Sequence, residues 1–429
     1  ATRSETRAAA KPPRGPGRAR RTRATHSNAR PTDEPNTMAE ERPAKILKTG
    51  KLRVGFICGK EDGDLVEAPG LPKAHHRRGE KSRQGAPLCH SDVAIWWYAK
   101  SRYGDSVEAD LITGPGEVTA ARLEANDVNL LLGWDAVSAQ LEEADGTGRF
   151  ESGHGDAMAA LLGAPASRVL PPASVQDLCN AKGAYILEAE RLGVPVAPTA
   201  VYECAGGSAE EGAAFAARVA RERGWKRFIA KPSPSSWSRG VEQFTTSAVG
   251  KNDAKLVAYF EELAYPKSNN GAKQIIVQRH LGGLANAPET RCFFFGGDFL
   301  YAVANSKHAP GKPVELTSCP ESASSSALPA KHWRPHAALA RTVVDTVLPR
   351  FETFGGGTFS CKVPWLVRVD VGTHAACDVA NGCAADAPDK VRKRRVCFVN
   401  EIETVPTLYL DGKFKHERDF LGVYARGFL

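Results

Sequence analysis

At 429 residues, 42% apolar and 25% charged, the chain can form two or three domains with sizeable cores and is too apolar to be disordered throughout. No run approaches the roughly 18 apolar residues of a spanning helix, which excludes a helical transmembrane protein. The formal charge of +8 is uneven: residues 1–37 hold nine Lys and Arg against three acids, so everything after them carries only +2. A near-neutral body argues against nucleic acid as its partner. Ten cysteines with no Cys-x-x-Cys pair are too sparse for a disulfide scaffold, and point to reduced, mostly buried thiols in an intracellular compartment.

Residues 1–50 are rich in Arg, Pro, Ala and Thr and contain no aromatic residue. Such a stretch buries too little surface to offset its ordering entropy, which predicts disorder. The first methionine is Met38. Translation from Met38 implies a cytoplasmic protein. Alternatively, the Arg-rich, acid-poor segment before it reads as a plastid or mitochondrial transit peptide.

The apolar run 51–58 predicts a first strand, and 60–88 reads as a long polar surface loop. Helical sequence through Val93–Tyr98 and short strands at 109–113 and 128–132 predict a parallel, doubly wound layer. A helix over 180–193 follows, capped by Asn180 and closed by Gly193. Ser208 to Glu211 is a capping box opening a helix that runs to about Arg223. Next come a strand at 228–231, the loop 232–240, a helix at 253–263 and a strand at 274–281. Gly296-Gly297-Asp298 predicts a hairpin between strands 289–295 and 299–304. A helix is expected from Pro335 to about Leu348. The last two strands, 366–371 and 397–403, flank a polar excursion over 372–396. There is no internal repeat.

That final pair carries the chemistry. Alternation puts Arg368 and Asp370 on one strand face, and Glu401 and Glu403 likewise. Paired as a hairpin, three carboxylates and an arginine converge, a hard-oxygen set suited to Mg²⁺ held together with substrate phosphates. A solvated hairpin is the competing reading. The apolar Val369, Val399 and Ile402, and the surplus of carboxylates over nearby partners, count against it. Lys231 ends a strand before a Ser- and Gly-containing loop, where a lysine reaches a phosphate that the loop cradles.

The order of these motifs resembles the ATP-grasp superfamily, most closely its D-alanine–D-alanine ligase-like branch. Residues 175–410 carry the resemblance well, and 51–135 loosely. It implies an α/β protein: a two-lobed ATP-grasp fold preceded by a small Rossmann-like domain. The corresponding boundaries are a disordered segment 1–50, the Rossmann-like domain 51–178, a central lobe 179–273, and a C-terminal lobe 274–429 with the insertion 372–396. Asn180-Ala-Lys182 and Lys231-Pro-Ser resemble the family's two phosphate lysines, with Ser238 and Gly240 in its phosphate-covering loop. Gln278 and Leu281 fall at the hinge that grips adenine, and Glu289 resembles the acid that binds the ribose. Arg368-Val-Asp370 and Asn400-Glu401-Ile-Glu403 resemble the metal motifs. By that resemblance Asp370, Glu401 and Glu403 hold Mg²⁺ or Mn²⁺, and Arg368 stabilises the oxyanion of the tetrahedral intermediate.

Three features depart from the family: Glu403 stands where asparagine is usual, Pro234 and Trp237 occupy the covering loop, and the hairpin loop 372–396 is far longer than the family's short turn and includes Lys390, Arg392, Lys393, Arg394 and Arg395. The resemblance implies an ATP-dependent carboxylate–amine ligase acting through an acyl phosphate on a small amino-acid-like carboxylate and amine. No nucleic acid or membrane is implied, and a homodimer is compatible. The alternatives are a non-catalytic ATP-binding protein of the same fold, or a ligase adding amino acids to a protein.

Weaker signals have structural explanations. His332 and His336 have zinc spacing, but Pro335 between them argues against one helix bearing both. Cys89-His90 and Trp96-Trp97-Tyr98 read as core, and Gly355-Gly356-Gly357 as a turn.

Overall fold

The computed structural model describes residues 50–58, 65–77, 79, 81, 85–132, 154–164, 168–171, 181–233, 240–247, 253–265, 272–282, 289–295, 297–305, 316–318, 330–351, 366–384 and 386–403. The chain divides into two units, Ala1–Lys48 and Thr49–Leu429, and the whole of the first lies outside the described residues. The second is built on three larger sheets.

The first sheet contains β1 (Leu52–Ile57), β4 (Val107–Ile112), β5 (Val128–Leu131) and β6 (Val169–Leu170), all parallel in the order β4-β1-β5-β6. Between β1 and β4 lies a small antiparallel pair, β2 (Leu65–Glu67) with β3 (Leu88–His90). The predicted 60–88 loop therefore contains a strand, too short for periodicity to show. Helix α1 (Ser91–Tyr103) covers one sheet face, packing Val93, Ala94 and Trp96 on Val54 and Phe56. Ile57 points to the other face, towards α2 (Ala120–Ala125) and α3 (His154–Gly163), where it meets Leu123, Ala157 and Leu161. Burial on both faces is what a parallel sheet requires. Trp96 is core as expected, and so is Cys89, whose thiol burial pushes up to about 12.

The second sheet follows α4 (Lys182–Arg191). It is antiparallel, in the order β7 (Thr199–Glu203), β10 (Gln274–Arg279), β8 (Arg227–Ser233), β9 (Glu242–Thr245). Helices α5 (Ala209–Glu222) and α6 (Ala254–Leu263) cover one face. The capping box at α5 is made: Ser208 Oγ accepts from Glu211 N at 3.2 Å, and Glu211 Oε2 accepts from Ser208 N at 3.0 Å. Its buried stripe is mostly alanine (209, 213, 216, 217, 220) with Gly212 and Val219, so the helix lies close to its neighbours. The opposite face carries Thr199, Lys231 and Gln278, and α4 approaches it at Val201 and Gln274 through Gly183.

The third sheet runs β13 (Leu316–Ser318), β12 (Asp298–Asn305), β11 (Thr290–Phe295), β14 (Leu366–Ala375), β15 (Arg395–Glu403), antiparallel throughout. Helix α7 (Ala330–Thr342) and the π-turn Val343–Val347 cover the face bearing Cys292, Phe294, Val367, Val369 and Val371. The helix starts at Ala330 rather than Pro335, so Pro335 lies inside it and both His332 and His336 are helical. The final strands also extend further than predicted, reducing the excursion to 376–394. His374 and Ala375 pair with Val396 and Arg395, a polar ladder end with no hydrophobic alternation to announce it. On the face away from α7, Phe293, Phe295 and Leu366 join the core around α1.

Candidate functional site

The site lies on that same face of the third sheet, at its polar end. Register sets Arg291 opposite Asp370, Asp370 opposite Glu401, and Arg368 opposite Glu403. A bulge between Asp370 and Val371 makes Asn400 the extra residue of β15. It reverses which strand face is which: Val399 and Ile402 both enter the core under α7 although they are three residues apart.

Arg368, only 5% exposed, donates from Nε to Asp370 Oδ1 at 2.8 Å and from Nη2 to Asp370 Oδ2 at 2.9 Å, a bidentate pair. Its Nη2 also lies 2.8 Å from Glu403 Oε1. Lys182, at the first turn of α4, donates to Glu401. Asn400 Nδ2 donates to Glu289 Oε1 at 2.7 Å, and Arg291 Nε lies 3.9 Å from Glu289 and 3.8 Å from Asp370. From the second sheet, Lys231 Nζ approaches Gln278 Oε1 at 3.4 Å, and Gln278 Nε2 donates to Thr199 Oγ1 at 2.9 Å.

These charges act on one another. Burial, then the Lys182 ammonium, bring the Lys231 amine down to about 8, against the pull of Glu401 and Glu289. Burial would raise the Glu401 carboxyl, yet Lys182 and Arg368 hold it well below the usual range. Glu403 and Glu289 go the other way. Burial raises both, with Glu401 and Asp370 adding to it at Glu403 and Asp370 foremost at Glu289, despite nearby arginines. The arginine itself is held charged by Asp370 and Glu403, in spite of its burial.

The structure thus brings together Lys182, Lys231, Glu289, Arg368, Asp370, Glu401 and Glu403. Among the described residues the carboxylates do not outnumber their partners, as the sequence suggested they would: Lys182, Lys231, Arg291 and Arg368 face Glu289, Asp370, Glu401 and Glu403. Arg291 is the cation that sequence reading missed, and only the β11–β14 register reveals it. Glu289 sits inside the acidic cluster, and the Gln278 amide is taken up by Thr199 and Lys231. Leu281 packs with Ala197, Val379 and Phe398 beyond the end of β10. Gly240 has φ +66° and accepts from Tyr259 Oη at 2.7 Å. Asn180, Pro234, Trp237, Ser238 and Gly355–Gly357 lie outside the described residues.

Among the described residues no three His, Cys, Asp or Glu side chains are already gathered around one point. The donor set nonetheless fits a hard divalent cation. All the candidate ligands are carboxylate oxygens, and Glu403 and Glu289 are raised first by burial and then by neighbouring acids, both of which a bound cation would offset. The zinc spacing in α7 is spoken for at His336, whose Nδ1 and Nε2 bond to the hydroxyls of Thr290 at 2.5 Å and Thr373 at 2.6 Å.

No protein-family model and no curated protein matches the chain. Among solved structures, the D-cycloserine synthetase DcsG superposes with a TM-score of 0.53 at 17% identity, covering 88% of this chain and 98% of that one. The VanG D-Ala:D-Ser ligase from Enterococcus faecalis gives a TM-score of 0.46 at 11% identity, covering 89% and 100%. The D-alanine–D-alanine ligase from Bacillus anthracis complexed with ATP gives 0.41 at 13%, covering 83% and 87%. The first of these likenesses establishes the fold: mixed α/β, of the ATP-grasp type.

Proposed function

We propose that this protein is an ATP-dependent ligase that joins a carboxylate to an amine. The observation that carries the reading is the placement of two lysines, Lys182 and Lys231, from one sheet-and-helix layer against the Arg368, Asp370, Glu401 and Glu403 face of another. Anionic phosphates need such lysines, and a reacting carboxyl needs the arginine. In this reading the substrate carboxylate attacks the γ-phosphate of ATP, giving an acyl phosphate and ADP. The amine then attacks the acyl carbon and phosphate leaves. Lys182 and Lys231 neutralise the phosphates, Arg368 faces the developing oxyanion, and Gly240 with Ser238 belongs to the covering segment. Gln278 and Leu281 border the adenine, and Glu289 serves the ribose. Asp370, Glu401 and Glu403 would hold Mg²⁺, which when bound lowers the charge on the transferred phosphoryl group. ADP release over a panel of acids and amines, with the product identified by mass, tests the reading. Absence of ADP release from every pair would overturn it.

Two expectations follow from the residue roles. Lys231 is half charged near pH 8, and only its charged form attracts phosphate. Its amine is protonated below that pH and increasingly neutral above it, so ATP affinity falls as pH rises through about 8, by up to about tenfold per pH unit. Lys231→Arg keeps its charge and flattens this dependence. Calorimetric titration of ATP with both proteins between neutral and alkaline pH checks it.

Glu403 is the second. Glu403→Asn keeps one carbonyl oxygen but removes a charge, so it retains measurable activity and needs more Mg²⁺. Glu403→Ala loses most activity. The Mg²⁺ dependence of ADP release in the three proteins decides it; identical curves would mean that Glu403 does not serve the cation.

A further inference from the structure

The polar excursion between β14 and β15 is a folded strap with a charged outer ridge. It is tied down at several points. Ala380 N donates to Val196 O at 2.9 Å, and Asn381 Nδ2 reaches Glu190 O at 2.6 Å at the end of α4. Asp378 pairs with Arg279 and lies 3.3 Å from His374. The strap ends in one helical turn, Asp389–Arg392, and then Lys393, Arg394 and Arg395.

Every residue from Asp389 to Arg395 is exposed, and five of the last six are Lys or Arg. Lys393 and Asp389 lie 3.6 Å apart with both side chains about four-fifths exposed or more, a weak pair that leaves the ridge strongly positive. Val391, at 44% exposure, is one of three large exposed hydrophobic residues among the described residues, and it stands within this basic run. The positive surface continues beyond the strap. Burial lowers the His374 imidazole pKa, Asp378 opposes it, and Arg395 and Arg279 add to the lowering; at His280 Arg227 and His374 add to burial. The ends of β8, β10 and β15 nearest the strap carry Arg227, Arg279 and Arg395, with Asp378 paired to Arg279 among them. The body as a whole is close to neutral, so this is a local concentration of charge.

We infer that the ridge Lys390–Arg395, with Val391 as an apolar anchor, is a docking surface for an acidic polypeptide segment. Charge complementarity supplies attraction and orientation, and the exposed valine offers a contact that a purely ionic ligand cannot use. A single-stranded nucleic acid is less well served, because the ridge contains no aromatic side chain on which a base can stack. The ridge and the carboxylate cluster belong to the same strand pair. From Arg395 to Glu401 is six residues, roughly 20 Å of strand. A segment held at the ridge thus has its neighbouring residues within reach of the cleft. The inference rests on the ligase reading only for that last step, since docking needs no turnover.

The test uses the full chain and a fluorescein-labelled, glutamate-rich peptide, with binding followed by anisotropy across a salt series. The comparison is with the variant Lys390→Glu/Lys393→Glu/Arg394→Glu. Both proteins keep the basic residues 1–37, so only the difference between them reports on the ridge. The peptide is expected to bind more weakly as salt rises, and the variant to lose about tenfold or more in affinity. ATP affinity is measured in both proteins to verify that the variant is folded; if it is lost, the neutral set Lys390→Gln/Lys393→Gln/Arg394→Gln replaces it. Equal peptide affinity with and without the ridge charges would overturn the inference. So would a single-stranded RNA of equal charge whose affinity, lost in the variant, exceeds that of the peptide. ADP release in a separate assay decides the ligase reading, whichever way the peptide experiment falls.

Discussion

Glu401→Gln is expected to lower ADP release by at least about 10²-fold while leaving a folded protein. The change preserves shape and removes one charge, and that charge has two tasks. It holds the Lys182 ammonium through their ion pair, and in the ligase reading it is a carboxylate ligand of the cation. Glutamine can still accept a hydrogen bond from Lys182, so the local arrangement survives with a modest loss of stability. Steady-state ADP release and thermal melting, measured together, separate the two effects. Near-normal turnover would remove Glu401 from the catalytic machinery.

Arg368→Met is expected to cost both stability and activity. The guanidinium is buried, bidentate to Asp370 and bonded to Glu403, so its loss leaves two carboxylates without their main counter-charge. Breaking a buried pair from one side costs about 3–5 kcal/mol, and melting should fall by roughly 5–10 °C. Arg368→Met/Asp370→Leu removes the stranded charge and should recover part of that loss with no gain in activity. If the single variant melted like the wild type, the Arg368 pairings would contribute little to the fold.

Much of the fold was legible because each element carried its own local signal. The capping box at Ser208 and the Gly297 hairpin are set by residues three or fewer apart, and sequence reading located both. What it missed depended on partners distant in sequence. The Leu65–Glu67 strand exists because Leu88–His90 pairs with it, and the ends of β14 and β15 because Ala375 meets Arg395. Helix α7 was expected to begin at Pro335, since proline favours first turns, yet packing on the third sheet carries the helix one and a half turns further back. The site followed the same pattern. Alternation grouped Arg368 with Asp370 and Glu401 with Glu403, but Arg291 enters only through β11, some 80 residues before β14.

The two faces of β15 also show what Asn400 is for. Asp370 faces Glu401 and Val371 faces Val399, so a strand that ran directly from Val399 to Glu401 would still send its carboxylate to the cleft and its valine to the core. The ladder closes equally well one residue shorter. Asn400 is surplus to the sheet, and the bond it makes is to Glu289, on the far side of β14. Length in this strand therefore follows a side-chain contact rather than the ladder: one residue is spliced into a regular structure as a spacer, and it tethers an acid that lies more than a hundred positions earlier in the chain.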